Sequence, residues 1–107
     1  ATITWLMMIF GIAVTSGGVN GLMLAAQTLV NAGDEVVVLT PAWPNLVAQP
    51  QIMGARVRTV SLVPRAGAWT LDLGALRAAI TPATRVLIVN APANPTGFTL
   101  TAVEQRA

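Results

Sequence analysis

The stretch TRVLIVNAPANPTG, residues 84–97, decides how the rest of the sequence is read. Its first half, through Val89, is a nearly unbroken apolar and β-branched run, the pattern of a strand covered on both faces. Its second half holds two asparagines, two prolines and a glycine, residues that stiffen and turn a backbone rather than extend it. A buried strand that opens into a rigid polar loop points to a parallel sheet with a ligand-holding edge, because in open α/β sheets ligands bind outside the carboxyl ends of the strands.

Working outward from that stretch, the same alternation recurs. GIAVT, ending near Thr15, reads as a short strand. SGGVNGLMLAAQTLVNAG reads as a helix, with Ser16 placed to cap it, Leu22, Ala25, Ala26 and Leu29 at helical spacing, and Gly33 able to close it. EVVVLT (35–40) is a second buried strand, PAWPN a turn, and 46–53 a helix that Pro50 interrupts or delays. ARVRTVSLV is a third strand and PRAGAWTLD a loop. Residues 73–80 form a helix capped by Asp72 and stopped at Thr81-Pro82, and TRVLIVN is the fourth strand. A last helix begins after Thr101, which stands at capping-box spacing from Glu104. The order β-α-β-α-β-α-β-α predicts an α/β fold: a mostly parallel sheet with flanking helices joined by right-handed crossovers.

Composition agrees. Of 107 residues, 54% are hydrophobic and only 9% charged, which suits strands buried on both faces. The longest apolar run, residues 3–14, is shorter than the ~18–20 residues a spanning helix needs, and no basic residue precedes it, so neither a membrane span nor a secretory signal is expected. Cysteine and histidine are absent, which removes disulfides, thiolate chemistry and the commonest general base and metal ligand. All six basic residues are arginines scattered singly along the chain, so the net charge of +2 makes no basic patch and nucleic-acid binding is not expected. The four acids, Asp34, Glu35, Asp72 and Glu104, are too dispersed for a metal cage.

Three loops are expected at the carboxyl edge. Ser16-Gly17-Gly18-Val19 lets a ligand approach the backbone at a helix N-terminus, where unpaired N–H groups suit an anion such as phosphate; a tight turn with no ligand is the alternative. Trp43, between prolines, either lids the core or offers a flat face for stacking on a ring. Asn94 either hydrogen-bonds a polar ring substituent or closes an Asx-turn on its own backbone. Taken together, a phosphate cradle, a stacking face and an amide describe a pocket for a phosphorylated aromatic cofactor.

With these residues in view, VTSGGVNGLMLAAQTLVNAGDEVVVLTPAWPN followed by ITPATRVLIVNAPANPTG resembles the large, cofactor-binding domain of the class I/II aminotransferases, pyridoxal-phosphate enzymes of fold type I. The likeness runs from about Ile12 onward and leaves residues 1–11 as an apolar extension outside the pattern. It implies that Gly17, Gly18 and Val19 are backbone donors to the 5′-phosphate of pyridoxal 5′-phosphate, that Trp43 stacks on the pyridine ring, and that Asn94 hydrogen-bonds the 3′-oxygen. Asn45 lies beside the stacking residue; Trp5 and Trp69 match nothing functional and read as packing residues. The resemblance further implies an amino acid and a 2-oxo acid as substrates, a cytoplasmic homodimer, and a Schiff-base lysine, a ring-nitrogen aspartate and carboxylate-binding arginines downstream of Asn-Pro-Thr-Gly. The sequence contains no lysine and runs to Ala107, so 12–107 is expected to be an incomplete piece of that domain, without catalytic residues of its own. Related lyases and cyclopropane-forming synthases share this half. A dinucleotide-binding module is a weaker alternative, because the acid expected at the end of the second strand is missing. A partner-dependent, non-enzymatic polypeptide is another, its unpaired sheet edges predicting self-association.

Overall fold

The computed structural model describes residues 11–107. Of the apolar extension expected over residues 1–11, residues 1–10, Trp5 included, lie outside them. The element order is α1 (Gly18–Leu29), β1 (Glu35–Thr40), α2 (Asn45–Ile52), β2 (Arg56–Ser61), β3 (Val63–Arg65), β4 (Ala68–Thr70), α3 (Leu73–Ala79), β5 (Thr84–Ile88) and a short 3-10 turn, Glu104–Arg106.

β1 is the spine. Its run EVVVLT is buried along almost its whole length because it is the middle strand of a parallel sheet in the order β2-β1-β5. Alternate side chains leave opposite faces of a strand. Val36 and Val38 therefore join Val30 and Leu46 in a cluster under α1 and α2, while Val37 and Leu39 join Val60, Leu62 and Phe98 on the other face. Val36, Val37 and Val38 are fully buried. Each such side chain withdrawn from water contributes about 1.5–3 kcal/mol, so this single strand holds both layers of the fold together.

The expected strand ending at Thr15 is not formed: residues 12–15 are irregular. The physical reason is pairing. β1 already has a parallel neighbour on each side, Val36 opposite Val57 and Val86, and residues 12–15 pair with neither of the two outer strands. The sheet accordingly has three strands, not four. A second departure lies in PRAGAWTLD, which is not a loop but an antiparallel hairpin, Val63 opposite Thr70 and Arg65 opposite Ala68. Ala66 and Gly67 turn it with positive φ at both central positions, the twist that suits a two-residue hairpin. The C-terminal helix is also shorter than expected. Glu104 accepts from the Thr101 amide at 2.7 Å and Thr101 accepts from the Glu104 amide at 3.2 Å, so the capping box forms, yet only a 3-10 turn follows it.

At the amino end of the sheet, the carboxylate of Glu35 sits buried at the start of β1. Thr81 Oγ1 donates to it at 2.6 Å and Arg58 Nη2 at 3.2 Å, with Arg56 at 3.8 Å. The Thr81 hydrogen bond, then the Arg58 hydrogen bond and charge, pull its pKa below the ordinary carboxylate value of 4.5, against the opposing effect of burial. A lowered folded-state value means the group stabilises the fold above pH 4.5 and stops doing so as pH falls through the lowered value. Glu35→Gln is therefore expected to lower the thermal midpoint at neutral pH and to flatten the acid limb of the stability-against-pH curve, with Glu104, lowered by Thr101, supplying the remaining slope. Thermal melts from pH 3 to 7 check this; parallel curves for the two proteins would refute it.

The two outer edges of the sheet differ in chemistry. β2 presents exposed Arg56, Arg58 and Thr59, while β5 and its continuation present exposed Leu87 and Val89. α1 has no buried residue, and Leu22, Leu24 and Leu29 are all exposed. Among the described residues no helix is long and apolar enough to cross a membrane.

Candidate cofactor-binding edge

Three chain segments converge on the carboxyl edge of the sheet. α1 runs antiparallel to the strands, as Arg85 at the start of β5 shows by donating from Nε to the carbonyl of Leu29, the last residue of α1, at 3.1 Å. Twelve residues of helix span about 18 Å, which carries Gly18 to the opposite, carboxyl end. The Pro41–Pro44 turn leaves β1 at that end, and the Asn90–Gly97 loop leaves β5, its immediate neighbour.

Ser16 does not cap α1. The cap is Gly17, at φ 94 and ψ 165, a conformation open essentially to glycine alone. The Asn20 side chain accepts from the Ser16 amide at 3.3 Å, and the Gly17 carbonyl receives the Thr15 hydroxyl at 2.8 Å and the Gly21 amide at 3.1 Å. No side chain caps the helix. The amides of Gly18, Val19 and Asn20 precede the first intrahelical bond and are left facing out. A Cβ added at Gly17 or Gly18 would meet nothing within 4 Å, so the space in front of these amides is open.

Trp43 is half-buried and packs on the cluster of Val30, Val36, Val38 and Leu46, on the same face of the sheet as α1. It lids the core and still leaves part of its ring exposed. Asn94 is exposed. Its loop is closed without its help: the Gly97 amide donates to Ala93 at 2.7 Å, the Ala93 amide to Phe98 at 2.9 Å, and the Phe98 amide to Thr96 Oγ1 at 3.2 Å. The Asx-turn alternative is thus not adopted; Thr96 performs that task, and among the described residues the Asn94 carboxamide has no hydrogen-bond partner. Phe98, 6% exposed, plugs the loop into the core face opposite Trp43. The sheet edge therefore brings Gly17, Gly18 and Val19 to the same face as Trp43, and Asn94 onto the same edge from across the sheet. Asn45 opens α2, and Trp69 lies on the β3–β4 hairpin that follows β2.

The profile of the aminotransferase class I and II family matches residues 10–106. The chain belongs to that family. An aspartate aminotransferase from Musicola paradisiaca is 39% identical over 93 residues, covering 87% of this chain and 23% of its own length. The solved N-succinyldiaminopimelate aminotransferase from Mycobacterium tuberculosis superposes with a TM-score of 0.83 at 41% identity, covering 86% of this chain and 24% of that one. The chain thus spans about a quarter of the length of the relatives it matches. Cystalysin from Treponema denticola, whose structure contains a pyridoxal 5′-phosphate cofactor, shares the fold at a TM-score of 0.79 and 22% identity. Pyridoxal phosphate is the cofactor of the aminotransferase family.

The edge has the chemistry such a group asks for. Outward-facing amides at an uncapped helix N-terminus suit a phosphate, the exposed part of an indole suits a ring, and an unpaired carboxamide suits a hydroxyl or phenolate oxygen. Sequence reasoning missed two supports of this aminotransferase edge, Phe98 and Gln49. Gln49 lies with Leu46, Pro50 and Met53 on the inner side of α2, where Leu46, Gln49 and Pro50 are buried. A glutamine on the apolar side of a short helix was the available signal.

Proposed function

We propose that this chain is the phosphate- and ring-holding part of a pyridoxal-phosphate-dependent aminotransferase, a protein that moves an amino group from an amino acid to a 2-oxo acid. The observation that carries the proposal is the free, outward-facing N-terminus of α1 on the sheet edge that also bears Trp43 and Asn94. The amides of Gly18 and Val19, behind Gly17, bind the phosphate dianion and anchor the cofactor. Trp43 packs over the ring and excludes water from one face. Asn94 donates from its amide to the ring's 3′-oxygen and fixes the ring's rotation. Pyridoxal phosphate supplies the carbonyl that exchanges the amino group and the ring that draws electrons from the reacting carbon. The chain contains no lysine, so the amine that anchors the cofactor covalently belongs to sequence outside it. The same reading makes the intact protein a cytoplasmic homodimer.

The test is calorimetric titration of the chain with pyridoxal 5′-phosphate and, separately, with pyridoxal. A phosphate held by charge-assisted hydrogen bonds worth about 1.5–3 kcal/mol each makes pyridoxal bind at least tenfold more weakly. Equal affinities, or no saturable binding of the phosphorylated form, would overturn the proposal. Trp43→Ala and Asn94→Ala are each expected to weaken both ligands severalfold, leaving their ratio unchanged.

A further inference from the structure

The glycine turn cannot hold its own position. α1 carries no buried residue, and an apolar cavity of about 110 Å³ separates it from the sheet, lined among others by Leu22, Ala26, Leu46 and Ile88. Dispersion is lost across such a gap, so packing restrains the helix weakly. Among the described residues two side-chain hydrogen bonds tie α1 down: Arg85 holds its far end at Leu29, and a second holds the glycine end. Gln49, 8% exposed and in the wall of the same cavity, donates from Nε2 to the carbonyl of Val19 at 3.0 Å, across thirty residues of chain. A leucine or methionine here would fill the cavity better, and a buried amide is costly unless bonded. The residue type at position 49 therefore works against packing and serves the bond.

From this we infer that Gln49 is a positioning residue that fixes the register of the α1 N-terminus against α2, and so aims the amides of Gly18 and Val19. Val19 is the pivot. Its carbonyl has two lone pairs, one for the Met23 amide within the helix and one for Gln49. Its own amide faces outward. Pinning the carbonyl fixes the peptide planes of the first turn, and with them the direction of the N–H groups. Without the bond, α1 rocks over the cavity and the amides diverge. The consequence for phosphate affinity rests on the function proposed above; the consequence for the turn's order does not.

Two variants test it in the 107-residue chain. Gln49→Met keeps the volume and removes the donor; Gln49→Leu removes it with a branched side chain of similar size. Hydrogen exchange is followed by NMR without ligand, and affinity by titration with pyridoxal 5′-phosphate, pyridoxal and inorganic phosphate. Both variants are expected to exchange the amides of Gly21, Leu22 and Met23 at least tenfold faster while the β1 amides exchange at the wild-type rate. Affinity for pyridoxal 5′-phosphate and for inorganic phosphate falls threefold to tenfold, and affinity for pyridoxal stays constant. Unchanged exchange in α1 for both variants overturns the inference, as does acceleration that extends equally to β1, which would mark Gln49 as a general stabiliser. If the wild-type chain binds none of the phosphate ligands, the functional proposal fails, and the exchange data alone decide the role of Gln49.

Discussion

A Gly17→Val chain is expected to lose at least tenfold in affinity for pyridoxal 5′-phosphate while binding pyridoxal as before. Gly17 sits at φ 94 and ψ 165, where a side chain costs about 1–3 kcal/mol of backbone strain. The space at its missing Cβ is empty to 4 Å, so the strain is released by turning the residue out of this region rather than by displacing a neighbour. That rotation redirects the first amides of α1, and the branched side chain enters the open space that a phosphate would fill. A tenfold loss corresponds to about 1.4 kcal/mol, within what one misaimed charge-assisted hydrogen bond removes. Calorimetry on both ligands checks it. Gly33→Ala is the control, since Gly33 also has a positive φ, +89, and open space at its Cβ but precedes β1 at the opposite end of the sheet. A Gly17→Val chain with an unchanged ratio of the two affinities would show that the phosphate lies elsewhere.

The largest effect on stability is expected at Gly54. This residue has φ +82, and a Cβ there would lie 3.0 Å from Ala32 Cβ and 3.2 Å from Ala32 Cα. The close approach is fixed from both sides: the Gly54 carbonyl accepts from the Gly33 amide at 2.9 Å, and the Gly54 amide donates to Gln51 at 2.9 Å. Alanine at position 54 adds the left-handed backbone cost of about 1–2 kcal/mol to an overpacking cost of about 1–3 kcal/mol. A total of about 2–5 kcal/mol is a large part of the 5–15 kcal/mol typical of a domain. Gly67→Ala separates the two contributions, because Gly67 has φ +79 but nothing within 4 Å of its would-be Cβ. Urea unfolding should place Gly67→Ala between wild type and Gly54→Ala. Equal losses at the two glycines would remove the steric part of the argument.

The legible parts of the fold were those written in one segment at a time. EVVVLT and TRVLI announce buried strands by β-branching, and the helices announce themselves by spacing and by Asp72, whose side chain accepts from the Ala75 amide at 3.0 Å. The failures were failures of pairing. GIAVT has a strand's composition, but composition cannot show whether a segment finds a sheet edge to pair with, and this one does not. The hairpin was missed because Ala-Gly is a weaker turn signal than Asn-Gly, and Ala66 adopts φ 49 all the same. Gly33 does take a positive φ, yet the helix it was expected to close ends earlier, with Val30 as its cap. At the candidate site, the three loops could be placed from the rule that ligands meet strand carboxyl ends. Gln49 stands out only as a glutamine on the apolar side of α2; the main-chain carbonyl it bonds, thirty residues away, is marked by no side-chain pattern.

The unlike borders of the sheet limit how copies of this chain can stack. Arginines along β2 deter a visiting strand, whereas the border at β5 is apolar and receptive. A fibril needs two receptive borders on every subunit, one to extend and one to be extended. With one, two copies can zip together face to face and shut the interface, and a third finds nowhere to attach. Any self-association through this sheet is therefore expected to stop at two copies.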